Sequence, residues 1–191
     1  MSEQDELSPL FKKSPDLVSV VGYLHPEINR PDKFAFEYDL FGDFSSDFAV
    51  GDFQRQAYCF MELEDAKANS IFKKVSGRST TDWSTRFDHG YSQIIDWFYK
   101  LDDMEKTNEF EDRFGARVIS PFGLLIIGRS QFLSDKDKRR LRWRDRNVVV
   151  NSQFIRCLTY DELLEELKDM LNVSPLAYAA EQETLIDLTD A

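Results

Sequence analysis

The stretch Ala57-Tyr-Cys-Phe-Met-Glu-Leu-Glu64 alternates in a way only a strand uses. The alternation puts Cys59, Met61 and Leu63 on one face and Tyr58, Phe60, Glu62 and Glu64 on the other. Upstream, the aromatic run Phe34 to Phe41 predicts a first strand, Gly42 to Ser46 a turn, and Asp47 to Val50 a second strand closed by Gly51-Asp52. The three form a meander. Downstream the period changes. Trp83, Phe87, Tyr91, Ile94, Ile95, Phe98 and Leu101 recur at helical spacing and predict a long helix over Asp82 to Leu101. Gly123-Leu-Leu-Ile-Ile-Gly128 is apolar on both faces, which suits a central strand covered on both sides.

Ser134 opens a charged helix to about Arg146, and Phe154 to Leu158 predicts another strand. Thr159-Tyr-Asp-Glu162 is a capping box starting a last helix, with Leu163, Leu164, Leu167 and Leu171 expected inward. Near the start, two short helices are expected between Glu6 and Leu24, the second opened by Ser14-Pro15-Asp16, followed by a polar loop over 25–32. Residues 65–81 and 102–113 read as irregular, charged connections. Strands that alternate with helices imply parallel pairing. The expected class is therefore α/β, a mixed sheet with a three-strand meander and flanking helices. A helical segment is expected over 1–33, the α/β domain over 34–171, and an acidic, loosely ordered tail over 172–191.

A chain of 191 residues suits one such core, and 16 Phe make that core aromatic-rich. The formal net charge of -11 argues against a general nucleic-acid binder unless basic residues cluster and metal ions offset the carboxylates. The concentrated basic run is Lys136, Lys138, Arg139, Arg140, Arg142, Arg144 and Arg146. Its residues are candidate phosphate contacts or a solvated helix whose basic C-terminal end suits the dipole. No segment is apolar and long enough for a membrane span, and the acidic start resembles no targeting signal. Cys59 and Cys157 fall in strands, which fits buried thiols in a reducing cytoplasm. Two histidines, His25 and His89, cannot build a histidine zinc site. A bound metal would be held by carboxylates, favouring Mg²⁺ or Mn²⁺.

Asp47, Glu62 and Glu64 are the carboxylates that such an ion needs. Glu62 and Glu64 share a strand face, and Asp47 lies on the neighbouring strand of the meander. A Glu-x-Glu in an acidic chain is ordinarily a solvated surface, but this one is embedded in an apolar strand, where carboxylates are costly unless paired or metal-bound. Glu37 and Asp52 lie near the same meander as candidate further ligands, Glu37 the better placed. Gln93 and Trp97 lie on the long helix, and Arg129 ends the central strand as a candidate phosphate contact.

In their order and motifs these residues resemble the PD-(D/E)xK nucleases, and within them the Shedu anti-phage defence family. The resemblance rests on Asp47-Phe-Ala-Val and Phe60-Met-Glu-Leu-Glu64, and on the earlier Ser14-Pro-Asp-Leu helix. It also rests on Gly90-Tyr-Ser-Gln-Ile-Ile-Asp-Trp97, Leu124-Leu-Ile-Ile-Gly-Arg129 and Cys157-Leu-Thr-Tyr-Asp-Glu-Leu163, and covers roughly residues 8–171. It implies a restriction-endonuclease-like sheet, metal-dependent DNA cleavage in bacterial defence, and assembly into homo-oligomers. By position, Asp47 and Glu62 become metal ligands and Gln93 a helix residue facing the site. Glu64 stands where the pattern expects the catalytic lysine. Cleavage through fuller metal coordination and a degenerate, non-cleaving sensor or interaction module are both compatible with that substitution. Lys67, Lys73 and Lys74 are nearby stand-ins for the lysine.

Overall fold

The computed structural model describes residues 8–170. Strands β1 (Lys33–Leu40), β2 (Phe44–Asp52) and β3 (Ala57–Leu63) form the expected antiparallel meander. Next come the two-residue strands β4 (Phe72–Lys73) and β5 (Asp82–Trp83), helices α3 (Thr85–Met104) and α4 (Asn108–Phe114), and strand β6 (Ser120–Ile126). Helix α5 (Asp135–Asn147), edge strand β7 (Val149–Val150), strand β8 (Gln153–Leu158) and a helix over 160–170, here α6, complete the described chain. Helices α1 (Ser8–Lys12) and α2 (Pro15–Val21) precede the sheet. The expected tail over 172–191 and Leu171 lie outside the described residues.

The main sheet has six strands in the order β1-β2-β3-β6-β8-β7. β6 pairs in parallel with both β3 and β8, as the alternation of strands and helices requires. Alternation along each strand feeds two cores, one on each face. Phe60, Leu125 and Ile155 meet α3, α4 and α5, where Phe87, Ile94, Phe98, Phe110 and Leu141 are buried. Cys59, Met61, Leu63, Leu124 and Ile126 meet α2 and α6, through Val18, Val21, Leu163 and Leu167. The N-terminal helices are therefore one layer of the same sandwich. Helix α3 alone buries Phe87, Tyr91, Ile94, Trp97, Phe98 and Leu101, each contributing about 1.5–3 kcal/mol of apolar burial. Both cysteines are buried free thiols.

Several boundaries differ from the sequence reading. The charged stretch after Leu101 is helical, because α3 continues to Met104 and Thr107 caps α4 by accepting from Phe110 N. Trp83 is not in α3 but in β5, whose pairing with β4 folds residues 72–83 into a small hairpin stacked on the helix start. Leu164, expected inward, is 53% exposed, since Leu163 and Leu167 already fill the face against the sheet. The polar loop before β1 is pinned by buried His25. Its Nδ1 accepts from Glu27 N at 3.0 Å, so its Nε2 donates to Ser120 O at 3.0 Å.

Candidate functional site

The site lies where β2 and β3 part. The ladder between them runs from Asp52↔Ala57 to Phe48↔Met61 and stops there. Beyond that point the tip of the β1–β2 hairpin folds over α3 and α4. Phe41 stacks on Phe110 at 5.9 Å, and Lys100 pairs with Asp43 at 2.5 Å. Asp47 sits at the parting. Its Oδ2 accepts from Leu63 N at 2.8 Å, capping a backbone donor that the ended ladder leaves without a β2 carbonyl. By parity with buried Phe48 and Val50, which face α2, the Asp47 side chain belongs to the α3 face. Glu62 is on the same face by parity with Phe60 and is 8% exposed.

Glu64 follows directly and is only 4% exposed. Its N donates to Ile126 O, and its O accepts from Tyr160 Oη at 2.9 Å, so its backbone is fixed from two sides. The side chain lies under α3 at Gly90. A Cβ at Gly90 would stand 3.1 Å from Glu64 Cγ and 3.3 Å from Oε1, so the absent side chain makes the room. Arg86, one turn earlier on α3, donates from Nη1 to Glu64 Oε2 at 2.7 Å. Its Nε lies 3.6 Å from Asp65 Oδ2, which also takes Lys67 Nζ at 2.6 Å.

The electrostatics follow from burial. Desolvation pushes the Asp47 carboxyl above its ordinary pKa, against the Leu63 N–H bond, and the charge of Glu64 pushes it further. Desolvation also raises Glu64, opposed by the hydrogen bond and charge of Arg86. Two neighbouring carboxylates whose ionised forms are disfavoured are the donor set that a divalent cation relieves.

Glu37 stands opposite Asp47 in the β1–β2 register, between Phe36↔Phe48 and Tyr38↔Ser46. It adopts a left-handed backbone at φ 49, a costly conformation for a residue with a Cβ. Its side chain turns outward to an ion pair with Lys12. Asp52 is at the far end of β2 and has another role. Although burial pushes its carboxyl up, backbone N–H groups of Arg30, Asn29 and Arg55 hold it below the usual range and tie the 25–32 loop to the strand.

Gln93 is half-buried on α3, seven residues after Arg86 and seven before Lys100, so the three share one flank. Arg86 reaches Glu64 at one end of that flank and Lys100 reaches the hairpin tip at the other. Gln93 therefore occupies the middle of the flank that borders the parting. Trp97 is buried in packing. Of the basic candidates, Arg129 is bound to Asp161 at 2.7 Å, and Arg140 donates to Thr81 O at 2.7 Å and lies over the Phe72 and Trp83 rings. Both brace the fold. Arg139 and Arg142 are exposed on α5, which packs on β8. Asp65 and Arg86 are the residues that sequence reasoning missed. Arg86 carries no local signal, because its partner lies 22 residues away.

The donor chemistry suits a hard divalent ion, but the carboxylates do not enclose one as they stand. Among the described residues no three His, Cys, Asp or Glu groups converge closely enough. Asp47 is turned to Leu63 N and Glu64 to Arg86, so enclosing a cation requires these side chains to rotate.

A family model described as "Shedu protein SduA, C-terminal" matches residues 1–164. The chain belongs to the Shedu SduA C-terminal family. No curated protein matches it. Within this Shedu chain the matched region spans the meander, α3, the central strand β6 and the start of α6, so every candidate carboxylate lies inside it. Among the described residues no helix is long and apolar enough to cross a membrane.

Proposed function

We propose that this Shedu protein is a PD-(D/E)xK-type endonuclease that hydrolyses DNA phosphodiesters with Mg²⁺ or Mn²⁺ in anti-phage defence. Family membership supports the defence role. The observation carrying the chemistry is that Glu64 is buried and Asp47 half-buried at the parting of β2 and β3, both with raised pKa values, with Glu62 buried on the same face. Asp47, Glu62 and Glu64 would hold the ion, which when bound acidifies a water and neutralises charge developing on the phosphate. The chain's own part is to fix Asp47 and Glu62 on strands and Glu64 directly after β3, exclude bulk water with α3, and present Gln93 along the open flank.

A second reading has its own support. Arg86 occupies Glu64 and the carboxylates do not enclose an ion as they stand, which favours a catalytically silent nuclease-like sensor or interaction module. Cleavage of supercoiled plasmid with Mg²⁺ or Mn²⁺ decides between them. The enzyme loses cleavage in Asp47→Ala, Glu62→Ala and Glu64→Ala to a similar extent, because the three act as one unit. The sensor binds DNA and leaves plasmid intact in every variant.

A further inference from the structure

Beside the carboxylates, beyond the end of β3, lies a cleft of about 300 Å³ lined by Asp65, Lys67, Ser70, Lys73 and Arg86, with Asn69, Ser84 and Thr85. Its lining carries three cations against one carboxylate, in a chain whose net charge is -11. The surplus is positioned. Lys67 and Arg86 both bear on Asp65, and Arg86 bridges from Asp65 to Glu64, so Arg86 joins the cleft to the carboxylate group. Lys73 is exposed on β4 and makes no ion pair with another described residue in the cleft. Hydrogen bonds of Ser84 tie one wall together. Ser84 donates to Ser70 O, caps α3 by accepting from Phe87 N at 3.0 Å, and closes the loop between β3 and α3. The first turn of the 20-residue α3 adds the positive end of its dipole.

We propose that this cleft holds a phosphate of a nucleic-acid strand adjacent to the reacting one, with Lys73, Lys67 and Arg86 as its cationic contacts. The proposal rests on the nuclease-type reading of the carboxylates but does not require turnover. A strand carries one charge about every 3.4 Å along its axis, so a phosphate placed at the carboxylates brings its neighbour within reach of this cleft. The guanidinium is a planar fork suited to one carboxylate and one phosphate at once. In that arrangement Arg86 is a positioning residue for Glu64 and a contact for the strand.

The test is fluorescence anisotropy of a short single-stranded oligonucleotide in EDTA, so that metal binding and cleavage play no part. Lys73→Glu and the pair Lys67→Ala/Lys73→Ala should weaken binding about tenfold and flatten its salt dependence by roughly 0.7 in log-log slope per lost phosphate contact. Lys168→Glu, at an exposed position of α6 across the sheet, should change binding less than twofold. Arg86→Lys should restore part of the affinity that Arg86→Ala loses, whereas a purely structural role would need the fork. Adenosine monophosphate should compete only at far higher concentration than the oligonucleotide. Competition at equal concentration, binding unchanged by Lys73→Glu, or no oligonucleotide binding by the parent would each overturn the proposal. A parent that binds the oligonucleotide through Lys73 yet takes up no divalent ion would sustain the cleft and reject the nuclease reading.

Discussion

Replacing Gly90 by alanine tests how closely α3 is packed on the candidate site. Alanine is favoured over glycine inside a helix by about 1 kcal/mol, so a loosely seated α3 would be stabilised. The packing opposes this. The new Cβ would stand 2.8 Å from Leu125 Cδ1 and 3.1 Å from Glu64 Cγ, both too close. Overpacking of this kind costs about 1–3 kcal/mol, so the net effect should lie between neutrality and a loss of about 2 kcal/mol. At this chain length that corresponds to a fall in Tm of up to roughly 4–8 °C. The Leu125 contact is with a flexible tip that can turn aside, while the Glu64 Cγ contact is near the main chain, so the Glu64 contact should carry the cost that remains. Glu64→Ala removes both Cγ and Oε1, and Gly90→Ala should then cost less by about 0.5–3 kcal/mol, a coupling read from a double-mutant cycle in urea. A Gly90→Ala protein more stable than the parent, with no coupling to Glu64, would refute the placement of Glu64 beneath the helix.

Asp47 and Glu64 both have raised pKa values in the folded protein, so the native state holds protons that the unfolded chain releases. Stability in metal-free buffer should therefore fall as pH rises from about 4 through the raised values, and Asp47→Asn should flatten that fall in pH-resolved denaturation. An Asp47→Asn profile that falls as steeply as the parent's would contradict the burial argument. Charge reversal at exposed Arg139 and Arg142 should weaken DNA binding without unfolding the protein if α5 grips phosphate, and unchanged binding would leave that helix as solvated surface. Arg140→Ala should instead lower stability by about 1–3 kcal/mol in chemical denaturation, because it removes the bonds to Thr81 and the cover over Phe72 and Trp83. Light scattering should give a mass above that of one chain, since the exposed Phe34, Phe53 and Trp143 suit contact with further copies, and a strict monomer at micromolar concentration would count against assembly.

The parts of the site built on strand parity were legible in the sequence. Tyr58-Cys-Phe-Met-Glu-Leu-Glu64 carries its two faces in its alternation, and the apolar run after Gly123 announced a strand covered on both sides. The Thr159–Glu162 box was legible too, and both of its reciprocal bonds form. Three features were not read. The α4 helix hid in charged sequence, although Thr107 as a cap and Gly115 in the left-handed conformation after Phe114 were signals for it. The β4–β5 hairpin is two residues long on each side, too short for a period to show. Arg86 and Asp65 gain their importance from contacts between α3 and the segment just after β3, and no local pattern encodes such a contact. The same limit explains Arg129 and Arg140. A basic residue at a strand end or in a basic run looks available, whereas here each is held by a partner from another element, Asp161 and Thr81.

Asp47, Glu62 and Glu64 are proposed to form one divalent-ion site, and calorimetric titration with Mn²⁺ measures that binding itself. The parent should bind the ion more tightly as pH rises, because the carboxylates must first lose their protons. Glu62→Gln and Glu64→Gln should each weaken binding by about tenfold or more, while Asp52→Asn at the far end of β2 leaves it unchanged. Heat-silent titration of the parent across that pH range, or equal binding by the parent and Glu62→Gln, would contradict the claim.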